Sequence, residues 1–170
     1  MEFITTSAGQ TQKIAFELIK KLAVKKTRSA LVLGLAGELG AGKTTFIQGL
    51  ARALKIKERV LSPTFVIMKK YEVRSMKYEG KNRKEGKKAT SDPSLLTSNF
   101  FHIDCYRIEK PQEMDTLGFK EILKDPENLV VIEWAEKIKK ILPADTIWLK
   151  FQHLGEDRRK IILNFKSILN

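Results

Sequence analysis

Gly37-Glu38-Leu39-Gly40-Ala41-Gly42-Lys43-Thr44 carries the most definite chemistry in this sequence. It matches the pattern G-x-x-x-x-G-K-[ST] without a mismatch, and its glycines let the backbone curl until several N–H groups point into one concavity. A helix starting at the end of the pattern adds the positive end of its dipole, so the loop suits phosphate oxygens. Lys43 can reach β- and γ-phosphates, the Thr44 hydroxyl can bind Mg²⁺, and Thr45 brings a further hydroxyl to the same turn. A glycine-rich turn with an incidental lysine is the plain alternative, and the strand before the loop and the helix after it weigh against it.

Phosphoryl transfer also needs an acid that holds the metal or orients the attacking water, commonly at the end of a neighbouring strand. Asp104 closes Phe100-Phe101-His102-Ile103-Asp104, and Glu133 directly follows Leu129-Val130-Val131-Ile132. Either acid could merely cap a loop; both at ends of one sheet, beside one phosphate loop, would be harder to dismiss. Ser62-Pro63-Thr64-Phe65 lies between the P-loop helix and the next strand, where γ-phosphate sensors occur. Thr64 can bind metal or γ-phosphate there, although a turn leading into a strand reads the same way. Trp134 suits either stacking on a base or filling the core, and Thr11 is a further candidate nucleotide contact.

The elements that must hold these residues are legible in the hydrophobic pattern. Ile14, Ala15, Leu18, Ile19, Leu22 and Ala23 form a helical stripe, with Ser7 or Thr11 as its cap. Residues Ala30 to Leu35 read as a buried strand ending at the glycines, and Phe46, Ile47, Leu50, Ala51 and Leu54 as the helix after them. Phe65 to Val73 and Phe100 to Tyr106 read as strands, Pro111 opens a short helix through Leu123, and Asn128 to Trp134 is a central strand. A short helix, Glu136 to Leu142, then precedes a hairpin of Thr146 to Phe151 and Lys160 to Phe165 around Gly155. The expectation is an α/β, three-layer P-loop NTPase-like domain with a mostly parallel central sheet and a C-terminal β-hairpin.

Composition bounds what such a domain can be. At 170 residues, 42% hydrophobic and 31% charged, the chain is the size of one domain with a core. Without an apolar run of ~20 residues or a basic-then-apolar leader it reads as cytoplasmic with no membrane partner. Its single cysteine, Cys105, excludes a disulfide scaffold. The net charge of +12 suits a polyanionic partner and equally suits a lysine-rich surface that maintains solubility. The domain 1–170 is interrupted at about 74–99 by a stretch with seven basic and three acidic residues, net +4, which reads as a flexible basic insertion.

Taken in order, Gly42-Lys43-Thr44-Thr45, Ser62-Pro63-Thr64-Phe65, His102-x-Asp104-x-Tyr106-Arg107 and Glu133-Trp134 resemble the TsaE family, also called YjeE. These are the small bacterial ATPases of tRNA threonylcarbamoyladenosine synthesis. The likeness runs from about Thr11 to the C-terminal hairpin, with two departures: Ala135 stands where the family usually has proline, and the 74–99 connection is unusually long. The resemblance implies ATP or ADP bound with Mg²⁺ at the P-loop, and supports Asp104 as a second acid beside Glu133. It implies work with a threonylcarbamoyl transferase and its partner subunit, proteins like TsaD and TsaB, with tRNA as a further contact. The nucleotide cycle would reset that complex between turnovers rather than perform the transfer, making the chain a Mg-dependent ATPase that is slow alone and stimulated by its partners.

Other classes fit less of the pattern. A small-molecule kinase needs an Arg-rich lid and an acceptor pocket, whereas the insertion here is Lys-rich. A G protein needs Asn-Lys-x-Asp, which is absent from the sequence. A nucleic-acid-binding module would account for the charge and leave the four ordered motifs unexplained.

Overall fold

Strand β2 (Leu31–Gly37) is apolar on both faces, and it is covered on both. The computed structural model describes residues 1–22, 28–63, 66–73 and 97–164. In it β2 belongs to a seven-stranded sheet with β1 (Glu2–Thr5), β3 (Met68–Glu72), β4 (Asn99–Asp104), β5 (Asn128–Glu133), β6 (Ile147–His153) and β7 (Arg159–Asn164). The spatial order is β1-β7-β6-β2-β5-β4-β3. The inner strands β6, β2, β5 and β4 are parallel, whereas β3 on β4, β7 on β6 and β1 on β7 are antiparallel. The architecture is thus the expected α/β one, with a parallel centre and β6–β7 as the C-terminal hairpin.

Side chains alternate across the sheet and build one core on each face. Leu33, Leu35, Phe100, Val131 and Phe151 pack with Ile19, Phe46, Ile47 and Leu50 of helices α1 (Ala8–Leu22) and α2 (Lys43–Ala53). Phe46 meets Phe151 edge to face, with centroids 5.5 Å apart. On the other face Val32, Phe101, Ile103, Val130 and Ile132 pack with Met114, Phe119 and Ile138. These come from a 3₁₀ segment Pro111–Leu117, helix α3 (Phe119–Lys124) and a second 3₁₀ segment Ala135–Ile141.

Several elements differ from the sequence expectation for identifiable reasons. The helix expected from Pro111 to Leu123 divides at Gly118, whose φ of 65° ends the first turn in the left-handed region. The helix expected at Glu136 to Leu142 is 3₁₀, entered through Trp134 at φ 57° and bent at Ile138. Ser7 acts as the α1 cap, its hydroxyl accepting from the Gln10 N–H at 3.3 Å, while Thr11 lies buried inside the helix. Strand β1 was not apparent from the sequence. Of the basic insertion at 74–99, residues 74–96 lie outside the described residues; Thr97 is buried and Asn99 already begins β4.

Cys105 follows β4 into the second core and has no exposed surface. Burial, reinforced by the Asp104 charge, pushes its thiol up to about 12. We expect the folded protein to resist a thiol reagent at pH 8 and to react fully once unfolded in guanidinium, as read by mass spectrometry. Among the described residues, no helix is long and apolar enough to cross a membrane.

Candidate functional site

The strand-to-helix turn after β2 requires backbone geometry that only glycine supplies cheaply. Gly42, the N-cap of α2, has φ 99°. Gly37 has φ 135°, and a Cβ there would lie 2.2 Å from the Phe151 carbonyl oxygen on the neighbouring strand. Gly37→Ala should therefore destabilise the fold by about 1–3 kcal/mol, measured by urea unfolding, because backbone atoms must move to admit it.

This geometry brings Lys43 back over its own loop. Its Nζ donates to the carbonyls of Gly37 and Glu38 at 2.8 and 2.9 Å and lies 4.1 Å from the centroid of the Trp134 ring. Burial pushes the Lys43 ammonium below the ordinary lysine value, against the pull of Glu133, Glu136 and Asp104. Desolvation wins, leaving a poorly hydrated cation that any anion entering the loop would find ready to pair.

The two acids expected from the strand ends are brought to one edge. Asp104 and Glu133 are in register across β4 and β5, so their side chains share the face that carries α2. The Thr44 hydroxyl lies 2.9 and 3.0 Å from the two Glu133 carboxylate oxygens, and can donate its one proton to either. His102 Nε2 lies 2.9 Å from Glu133 Oε1. Asp104 Oδ2 accepts from the Ser62 hydroxyl at 2.5 Å, and its Oδ1 from the Tyr106 N–H at 2.9 Å. Both carboxylates are nearly buried and both are hydrogen-bonded.

A cleft of about 360 Å³ runs over these groups, lined by Leu39, Gly40, Gly42, Lys43, Thr44 and Thr45 on one side. Ser62, Asp104, Tyr106, Glu133 and Trp134 line the other. Beside it a smaller hollow of about 130 Å³ is lined by Thr11, Gly42, Thr45 and Arg159, among others. Thr11 is turned inward, its hydroxyl 2.9 Å from that of Thr5. Glu38 and Leu39 form the exposed outer part of the loop, and Ala41 is buried beneath it. Thr64 lies outside the described residues. Arg107 is exposed and does not line the cleft.

Several contacts were not assigned from the sequence. Tyr106 packs on Trp134 with ring centroids 5.2 Å apart, and the Gly37 N–H lies 3.4 Å from Glu136 Oε1. Arg159 of β7 donates from Nε to the Gly40 carbonyl at 3.1 Å. The motif spacing of His102-x-Asp104-x-Tyr106 signals one strand face, but the partners of those side chains depend on β4–β5 register. Ala135, in the place where proline was the usual residue, is fully buried and sits against Gly34.

Among the described residues, no three His, Cys, Asp or Glu side chains cluster closely enough to hold a metal. Mg²⁺ rarely needs such a cage: one or two carboxylates with substrate phosphates suffice. Thr44 and Glu133 supply adjoining hard oxygen donors with Asp104 nearby, a set that fits Mg²⁺ and not a softer ion.

A central β2, a glycine loop capping α2 and two acids ending adjacent parallel strands define a P-loop α/β domain. The family model described as "Threonylcarbamoyl adenosine biosynthesis protein TsaE" matches residues 5–161, and the chain belongs to that family. It is 31% identical over 161 residues to the tRNA threonylcarbamoyladenosine biosynthesis protein TsaE of Bacillus subtilis, covering 95% of this chain and 83% of that one. It is 33% identical over 162 residues to the Aquifex aeolicus protein of the same name, covering 94% and 92%. Among solved structures, the crystal structure of Bacillus subtilis YdiB superposes with a TM-score of 0.63 at 27% identity, covering 96% of this chain and 83% of that one.

Proposed function

We propose that this chain is the ATP-binding and hydrolysing component of the bacterial machinery that makes threonylcarbamoyladenosine in tRNA, acting in the cytoplasm. Its nucleotide cycle resets a transferase complex between turnovers. The observation that carries this reading is the contact of the Thr44 hydroxyl with Glu133 at the P-loop, beside the register-matched Asp104. The partners are a threonylcarbamoyl transferase and its companion subunit, resembling TsaD and TsaB, with tRNA as a further contact for the basic surface.

The division of labour follows from the donors. The loop N–H groups and the α2 N-terminus hold phosphate oxygens, and Lys43 exchanges the carbonyls of Gly37 and Glu38 for them. Thr44 and Glu133, with Asp104 near, would hold Mg²⁺, which would neutralise phosphate charge. Asp104, fixed by Ser62 and the Tyr106 N–H, is oriented to position water. Trp134 and Tyr106 form an aromatic wall against which a base can stack.

Lys43→Ala removes a charge-assisted phosphate contact worth roughly 1.5–3 kcal/mol, so calorimetry should find ATP affinity lowered ~10- to 100-fold. The biological reading is tested by depleting the protein and measuring threonylcarbamoyladenosine in total tRNA. The modification should fall, return with the wild-type chain and stay low with Lys43→Ala; an unchanged level would reject the assignment.

A further inference from the structure

His102 is the one buried histidine of the described residues, and the reading above gives it no task. It lies within β4 opposite Val131 of β5, on the same strand face as Phe100, with none of its surface exposed. Such a position is ordinarily aliphatic or aromatic. An imidazole there has two ring nitrogens to satisfy, and only Nε2 is satisfied, by Glu133 Oε1 at 2.9 Å; Nδ1 is buried without a hydrogen-bond partner. The orphaned Nδ1 lowers stability, which an apolar residue of similar size would not do. Packing therefore does not account for the histidine, and the bond to Glu133 does.

We propose that His102 is the positioning residue for Glu133, holding that carboxylate toward Thr44 and thereby setting how strongly Mg²⁺ and nucleotide bind together. An ionised carboxylate only accepts, so the Nε2–H of His102 donates in this bond. Oε1 is thus tied to the neighbouring strand, which restrains rotation about the last side-chain bond of Glu133. Oε2 faces the Thr44 hydroxyl at 3.0 Å, whereas the His102 contact is to Oε1. Without the imidazole, a carboxylate with a single-hydroxyl partner could rotate, and its two oxygens would present no fixed edge to a cation. Partners behind a ligating carboxylate commonly govern metal affinity or activity by ~10- to 100-fold.

The inference rests on Glu133 being the metal-side acid, and the experiment separates the two. Binding of a fluorescent ADP analogue is titrated with and without Mg²⁺ for wild type and the variants His102→Leu, His102→Asn, His102→Gln and Glu133→Gln. Thermal melting of each variant checks folding. Gln places an amide N–H near the Nε2 position, whereas the Asn amide is one methylene too short to reach Oε1. We expect His102→Leu and His102→Asn to raise the Mg²⁺ concentration needed for tight ADP binding ~10- to 100-fold, with ADP affinity in chelator unchanged. His102→Gln should restore it. At saturating Mg²⁺, steady-state hydrolysis by His102→Leu and His102→Asn should show a lower kcat with little change in KM for ATP. If His102→Leu fails to fold, the Gln and Asn pair still decides. Mg²⁺ dependence like wild type in His102→Asn, or equal loss in Asn and Gln, overturns the positioning role. No change in Glu133→Gln overturns the reading of Glu133 itself.

Discussion

Glu133→Gln should leave a folded protein that binds nucleotide but hydrolyses it ~10²- to 10³-fold more slowly in the assembled complex. The magnitude is that of removing one preorganised electrostatic group from a water-poor site. Glu133 is nearly buried at the end of β5, and both its oxygens already face donors that are in place before any ligand arrives. Gln keeps the volume and one acceptor oxygen, so packing under α2 should survive. It loses the negative charge that would hold a divalent cation and replaces one oxygen with an amide that repels donors. Asp104→Asn should slow hydrolysis as well, because its Oδ1 and Oδ2 are each tied to a donor and the neutral amide can satisfy only one of them. Single-turnover hydrolysis, with nucleotide binding measured separately, tests both variants. Wild-type hydrolysis by both would remove these residues from the mechanism.

The parts of this site that were legible in the sequence are those written in contiguous residues. The loop from Gly37 to Thr44 announces itself because each glycine answers a local backbone demand, and Leu129 to Ile132 announces a central strand because both of its faces are covered. β1 was not legible: its four residues alternate weakly and are held by β7, with Glu2 opposite Ile162 and Met1 bonded to Leu163. Nothing local encodes a partner 160 residues away. The 3₁₀ segments misled for the opposite reason, since their apolar residues keep helical spacing while Gly118 and Ile138 break the backbone. The contact of His102 with Glu133 needs the β4–β5 register, a tertiary fact, even though both residues stand in recognisable motifs.

Hydrolysis by the protein alone should be slow, and addition of the transferase, its companion subunit and tRNA should raise the rate ~10³- to 10⁵-fold. That range is what an arginine supplied across an interface is worth to a phosphoryl-transfer site that lacks its own. Among the described residues, the cleft lining contains one cation able to reach phosphate from within the loop, Lys43, and no arginine. Arg107 is exposed and outside that lining, and Arg159 reaches the neighbouring hollow with its Nε on the Gly40 carbonyl. In the cleft lining, Leu39 is 79% exposed, and Tyr106 is also exposed. A monomer gains nothing by presenting these side chains to water, whereas a partner covering the mouth would bury them and exclude solvent from the phosphates. Closure and the missing charge would then arrive together, making hydrolysis conditional on assembly. An ATPase assay with the partners added singly and together measures this. A high rate for the isolated chain, unmoved by any partner, would instead favour a self-sufficient phosphotransferase.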